Sequence, residues 1–263
     1  MSAPAVESLK VENVDGVLRV TIANPARLNA IDYDAIVGLG DIFLDAAQDR
    51  SVRVIVLTGE GKAFCTGADL ASSAGYAARG ITQGMIMDAA SRMVKAIVDA
   101  PVPVIARIKG AVAGVGVALA VAADLTYASE DAYLLLAFVN IGLMPDGGAA
   151  AIIAAAAGRA VAAEMALLGE RLPAAAAKQA GLFTGVLPAD ELDAKVDAVA
   201  HKLANGPRRA IELTKQALNR ATLSSLEPTL ALEKVGQTEL LESADFIEGA
   251  TAMLMKRKAN FTS

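Results

Sequence analysis

Three segments of five or six residues rich in Val, Ile and Leu recur along the first half of the chain, and each leads into a stretch with helical spacing. They are Val17 to Ile22 (VLRVTI), Val52 to Leu57 (VRVIVL) and Val104 to Ile108 (VIARI). This alternation constrains the fold more than any other feature. Strands spaced by helices must lie parallel, joined by right-handed crossovers, in an α/β protein. Asn24-Pro25 closes the first strand, and Asp32 is placed to cap a helix carrying Ile36, Leu39, Phe43, Leu44 and Ala47. Met85, Ala89, Met93, Ala96 and Ile97 mark a second helix, which Pro101 and Pro103 end. The small-residue stretch Gly110 to Ala123 is expected to close as a buried helix, with short strands at Leu125 to Ala128 and Tyr133 to Leu136. From Asp146 the pattern is helical, with breaks at Leu172-Pro173, Phe183 to Pro188 and Gly206-Pro207. The end of the chain carries no strand signal and predicts a helical layer.

Composition removes several kinds of chemistry. At 54% apolar and 20% charged, the 263 residues are enough to bury a large core and exclude a disordered chain. Aromatics are only 4%, so that core is built from Ala, Val, Leu and Ile. A net charge of −5 with no basic stripe argues against a nucleic-acid partner. The single cysteine, Cys65, excludes a disulfide framework, and the single histidine, His201, removes most zinc sites and most triads. The opening MSAPAVESLKVENVDG has no cationic start followed by an apolar run, so no secretory leader is expected. The apolar run Ala149 to Gly158 is mostly Ala and too short to span a bilayer. A soluble cytoplasmic protein is the expectation, with no metal and no membrane partner.

Two glycine-rich turns follow neighbouring strands. The second, GAVAGVGVALA, lies where a dinucleotide fingerprint could lie, but Leu119 stands where that fingerprint needs a third small residue. What remains is a helix start with unobstructed amides, which suits either close helix packing or a developing negative charge. The first turn, Ala63 to Leu70 (AFCTGADL), lies at the same end of the parallel sheet. Two such turns can aim two backbone N–H groups at one oxygen, the geometry of an oxyanion hole that stabilises an enolate without metal or cofactor.

These residues resemble the crotonase, or enoyl-CoA hydratase/isomerase, superfamily. The matching stretches are NPARLNAID (Asn24 to Asp32), GKAFCTGADL (Gly61 to Leu70), PVPVIARIKGAVAGVGVALAVAADLTYAS (Pro101 to Ser129), NIGLMPDGGAA (Asn140 to Ala150) and FIEGATAMLMKRKANF (Phe246 to Phe261). They run in the family's order and span nearly the whole chain. The resemblance implies a crotonase-type spiral of repeated ββα units over residues 1–195, carrying an acyl-CoA site. It implies a helical region over residues 196–263 for oligomerisation and CoA contacts, as a homotrimer or dimer of trimers. No cofactor is implied, since coenzyme A belongs to the substrate, and the setting is fatty-acid or related acyl-CoA metabolism. The implied oxyanion donors are the N–H groups of Ala68 and Val115. Family hydratases use two glutamates, whose positions here are held by Ala118 and Phe138, and neither can move a proton.

One carboxylate, Asp146, stands where some family isomerases and an aryl-CoA dehalogenase carry an active-site aspartate. The resemblance therefore points to 3-enoyl to 2-enoyl-CoA isomerisation with Asp146 as base, ahead of hydration, thioester hydrolysis or a non-catalytic acyl-CoA binder. Pro-Asp-Gly-Gly before an Ala-rich helix is also an N-cap pattern. The two roles make opposite predictions: an apolar pocket raises the carboxyl's pKa, and a cap lowers it. The resemblance further implies substrate-binding positions at Arg27, Leu28, Ala30, Asp69, Leu70, Phe138, Lys258 and Phe261. Asp69 is expected to order its turn through backbone hydrogen bonds. Cys65 reads as a small buried hydrophobe and His201 as a surface residue, and nothing in the sequence places Tyr33, Tyr76 or Asp88 in an acyl pocket.

Overall fold

A computed structural model describes residues 6–261; the first five residues, part of the segment read as lacking a leader, lie outside the described residues. The chain begins with an antiparallel hairpin, β1 (Leu9–Val14) and β2 (Val17–Ile22). It continues through α1 (Tyr33–Gln48), β3 (Val54–Gly59), β4 (Ala63–Cys65), α2 (Gln83–Val98), β5 (Val104–Ile108), β6 (Ala111–Ala113) and α3 (Val115–Val121). Then come β7 (Leu125–Ser129), β8 (Tyr133–Leu135), α4 (Ala149–Leu168), β9 (Arg171–Pro173), α5 (Ala174–Gln179) and β10 (Gly185–Leu187). Four helices end it: α6 (Leu192–Ala204), α7 (Arg208–Thr222), α8 (Leu226–Leu240) and α9 (Ala244–Leu254).

The strands form two sheets. Six lie in the order β1-β2-β3-β5-β7-β10, parallel beyond the first pair, and four lie in the order β4-β6-β8-β9, with β9 antiparallel. Each pass of the chain therefore adds one strand to each sheet: β3 then β4, β5 then β6, β7 then β8. This is the spiral of ββα units, and it sets the two glycine-rich turns side by side.

β3 is apolar almost without a break because both faces are covered. Ile55 and Leu57 face the main core with Leu39, Phe43, Met93 and Ile97, while Val54 and Val56 face Leu192, Val196 and Ala200 of α6. α6 thus crosses the expected division at 195/196, with its apolar face on the outer surface of the six-stranded sheet. α1 begins as expected, with Asp32 accepting the Ala35 N–H at 2.8 Å. Its Ile36, Leu39 and Phe43 are buried, each contributing about 1.5–3 kcal/mol.

Several expectations need correcting. β1 was not legible, since its residues are mostly exposed and it is held by the ladder to β2 rather than by an apolar face. Met85 is 42% exposed and is replaced on the buried face of α2 by Met87 and Ala90. The stretch from Gly110 is a strand before it is a helix: Ala111–Ala113 pair with β4 and β8, and only Val115–Val121 are helical. The breaks at Leu172-Pro173 and near Gly185 hold the short strands β9 and β10. α4 runs past the Ala149–Gly158 segment to 20 residues, long and apolar enough to cross a membrane by length and composition. It is interrupted at Gly158, and its first turns are core, with Ala149, Ile152 and Ile153 buried.

Candidate active site

The first turn joins β4 to the segment ending at Leu70. It is pinned from one side by Ile31, whose N–H donates to Gly67 O at 2.9 Å and whose O accepts the Asp69 N–H at 2.8 Å. That pairing spends the Gly67 carbonyl and the Asp69 N–H and leaves the Ala68 N–H with no acceptor among the described residues. The second turn joins β6 to α3. Val115 is the first residue of α3, so its amide lies outside the helical ladder, and it too has no acceptor among the described residues.

The turns meet at two glycines. A Cβ built on Gly67 would lie 3.3 Å from Gly114 Cα and 3.1 Å from Ala113 O, and one on Gly114 would lie 3.4 Å from Gly67 Cα. Both have positive φ, +97° and +55°, so no other residue fits this approach without strain. The unpaired amides of Ala68 and Val115 follow those glycines directly. Both amides lie where the two turns meet, Ala68 exposed and Val115 buried. Close packing operates at the next glycine, Gly116, where a Cβ would come within 2.4 Å of Cys65 O. The segment thus packs closely at Gly116 while the Val115 N–H stays without an acceptor among the described residues.

The second half of the site is the loop Leu143 to Gly148, laid on the start of α3. A Cβ on Gly147 would lie 2.8 Å from Ala118 Cβ and 3.6 Å from Val115 Cγ2, so the residue after Asp146 lies against the first turn of α3. Its Oδ2 accepts from Gln237 Nε2 at 3.2 Å. Its Oδ1 is sealed from water and has no hydrogen-bond partner. Burial pushes this carboxyl up to about 7, against a smaller opposing pull from the Gln237 bond.

The capping expectation for Asp146 is overturned. Gly148 occupies the N-cap of α4 with no side-chain cap bond from its own segment, and it is the Asp146 carbonyl, not the carboxyl, that accepts the Ala149 N–H. A residue from far along the chain serves these amides instead. Glu233 of α8, 1% exposed, accepts the Gly148 N–H on Oε2 at 2.7 Å, while its Oε1 is buried without a partner. Burial and the neighbouring Asp146 raise Glu233 to about 8.

Other expected residues divide between the two turns and elsewhere. Arg27 pairs with Asp69 at 2.9 Å, so it braces the donor turn rather than projecting freely. Asp69 orders that turn as expected, accepting from the Ala71 N–H and the Ser72 hydroxyl. The carbonyl of Leu28 accepts from Thr66 Oγ1 at 3.1 Å, that of Ala30 accepts from Asn24 Nδ2, and Leu70 is half-buried beside them. Phe138 is buried, its carbonyl accepting the Leu143 N–H at the start of the Asp146 loop. Lys258 and Phe261 are exposed beyond α9, and no hydrogen bond or ion pair among the described residues joins them to either donor turn. Cys65 is fully buried with its thiol pushed up to about 12, so it is inert, and His201 is exposed on α6. Tyr33 and Tyr76 engage each other, the Tyr76 hydroxyl accepting the Tyr33 N–H, and Asp88 pairs with Lys234 on the surface. No cluster of metal-ligating side chains occurs among the described residues.

Sequence reasoning missed three residues. Asn29, fully buried, donates to Glu60 O and Ala63 O and accepts the Asn24 N–H, tying the 24–30 loop to the strand before the donor turn. Glu233 and Gln237 were missed as well, although a signal existed. They continue the stripe Leu226, Leu230 at helical spacing, and polar residues on a buried stripe mark a polar partner inside.

Residues 12–263 match the family model described as enoyl-CoA hydratase/isomerase. The chain is similar to the crystal structure of an enoyl-CoA hydratase from Mycobacterium avium subsp. paratuberculosis K-10, with a TM-score of 0.91 and 46% identity over 98% of this chain and 100% of that one. Among curated proteins it is 36% identical to a probable enoyl-CoA hydratase of Rhodobacter capsulatus, over 97% of this chain and 98% of the relative. It is 33% identical to the 1,2-epoxyphenylacetyl-CoA isomerase of Escherichia coli, over 94% and 95%.

Proposed function

Because the chain belongs to the enoyl-CoA hydratase/isomerase family, we propose that it isomerises 3-enoyl-CoA thioesters to 2-enoyl-CoA thioesters, with Asp146 as the only base. The observation that carries this reading is the state of Asp146: one carboxyl oxygen is fixed by Gln237, the other is dry and unpartnered, and the next residue, Gly147, lies against Val115 and Ala118 of α3.

Asp146 takes a proton from C2 of the bound 3-enoyl thioester, and the electron pair moves into the thioester carbonyl. The N–H groups of Ala68 and Val115 hold the oxygen of the resulting dienolate. Asp146 then returns the proton to C4, and the double bond settles between C2 and C3. A carboxyl titrating near 7 suits both steps, because it accepts and releases a proton at nearly equal cost. Ala118 and Phe138 stand where the family's hydratases carry glutamates, and neither provides a group to activate water. Both are buried apolar side chains, which favours proton shuttling over hydration.

Incubation with a 3-enoyl-CoA in deuterated water, followed by mass spectrometry and NMR, tests the reading. Deuterium incorporation and a 2-enoyl product, both lost in Asp146→Asn, are expected. Tight binding without exchange in either protein would leave an acyl-CoA binder. A 3-hydroxyacyl product would make the chain a hydratase.

A further inference from the structure

Helix α8 lies far from the glycine-rich turns in sequence and carries none of the motifs, yet two of its side chains reach the Asp146 loop. Gln237 grips that loop twice: its Oε1 accepts the Met144 N–H at 3.2 Å and its Nε2 donates to Asp146 Oδ2 at 3.2 Å. Glu233, one turn earlier on the same face, holds the far end of the loop through the Gly148 N–H at 2.7 Å. Earlier on the same helix, Leu226 and Leu230 pack where a Cβ on Gly148 would fall. The three contacts fix the loop at residues 144, 146 and 148 from one helix face.

We propose that Glu233 and Gln237 are positioning residues for Asp146, α8 serving as a clamp that dictates which carboxyl oxygen faces the substrate. This rests on the reading of Asp146 as base. By occupying Oδ2, Gln237 leaves Oδ1 as the only oxygen available for proton transfer. Glu233 satisfies the amides at the start of α4, a task that would otherwise fall to Asp146 and would turn its carboxyl away from the site. Glu233 acts through its acceptor oxygen and transfers no proton. The charged groups around the clamp are few. Glu233 itself faces Asp146 from α8, Asp245 lies beside Gly142 at the start of α9, and the pairs Asp88–Lys234 and Lys95–Glu227 join α2 to α8 at the surface.

The test compares Gln237→Leu, Glu233→Gln and Glu233→Ala with wild type and Asp146→Asn, by kcat, KM, the pH profile and C2 proton exchange on a 3-enoyl-CoA. Gln237→Leu is expected to lower kcat about ten- to a hundredfold with KM nearly unchanged, since the base is misplaced but the CoA contacts are not. The same variant loses a bond that holds the carboxyl's pKa down, so the rising limb of its profile moves to higher pH than that of wild type. Glu233→Gln keeps an acceptor for Gly148 and retains most activity, whereas Glu233→Ala loses it with Gln237→Leu. Unchanged kcat and pH limb in Gln237→Leu, with Asp146→Asn inactive, would overturn the clamp alone. A Glu233→Gln variant that folds normally and is as inactive as Asp146→Asn would make Glu233 a proton carrier and also overturn it. Full activity in Asp146→Asn would instead remove the base on which the clamp rests. Should Glu233→Ala fail to fold, Gln237→Leu and Glu233→Gln decide the matter between them.

Discussion

The two halves of the site are built from different materials. The glycine-rich turns offer backbone amides, and what matters there is glycine at 67 and 114, close approach, and pairing that engages the Asp69 N–H while leaving those of Ala68 and Val115 without an acceptor among the described residues. The Asp146 loop presents a side chain, and its state is set by α8, a helix about ninety residues downstream. A backbone device is written in adjacent residues and tolerates changes in side chains that do not alter its path. A side-chain device depends on partners that adjacent residues do not reveal. The unequal fragility that follows can be measured.

The largest effect is expected in the side-chain half. Asp146→Asn keeps the shape and removes the base, and should lower isomerisation by about a hundred- to ten-thousandfold, read as kcat on a 3-enoyl-CoA. A smaller loss would mean that the donor turns carry more of the rate than the carboxyl does.

The backbone half should come next. Gly67→Ala places a Cβ about 3 Å from Ala113 O at a φ that L residues avoid, so the Ala68 amide must shift. A loss of about a hundred- to a thousandfold in kcat is expected, comparable to removing one oxyanion donor. Circular dichroism and unfolding curves separate this from loss of fold. In contrast, Ala68→Ser, which keeps the amide, should stay within about threefold of wild type, because the side chain takes no part.

Support for the donor turn is tested by Asn29→Ala. It strips a partner from the buried carbonyl of Ala63 and from the half-buried one of Glu60, and a stability loss of about 1–3 kcal/mol is expected in denaturant titrations, most of it from Ala63.

The side-chain half also leaves a pH signature in stability. Asp146 and Glu233 titrate near 7 and 8 in the folded chain, above ordinary carboxyls. Between the unfolded and folded values the native state holds more protons than the unfolded state, so their contribution is fully present below the unfolded pKa and is lost as pH rises through the folded one. The melting temperature of Asp146→Asn relative to wild type should therefore climb as pH rises from the ordinary value of 3.8 to about 7, and level off above that. A flat difference would mean that Asp146 is not buried in the neutral form. The smallest effect is expected for Cys65→Ala: its thiol is buried and inert, so activity should be nearly unchanged despite its place beside the donor turn.

The same contrast governs how much the sequence reveals. The strands β2, β3 and β5 and the Asp32 cap were legible because each rests on neighbours within a few residues: apolar runs, a proline stop, an oxygen three residues from its amide. β6, β9 and β10 were not, because three residues carry no period and are strands only through their ladders. The hairpin strand β1 was hidden for a related reason, being an exposed edge with no apolar face to show.

For the site, adjacent residues decided where a pair of free amides would stand and that one carboxylate would lie near them. They left two opposite fates for Asp146, and sequence could not choose between them. The choice was made when α8 packed on the loop and Glu233 took over the start of α4, freeing Asp146 to be buried with one oxygen unpaired. Backbone conformation is a local property, dictated by glycine and turn chemistry. The protonation of a buried carboxyl is set by everything that replaces its water, and here that is a helix which only the tertiary fold brings into place.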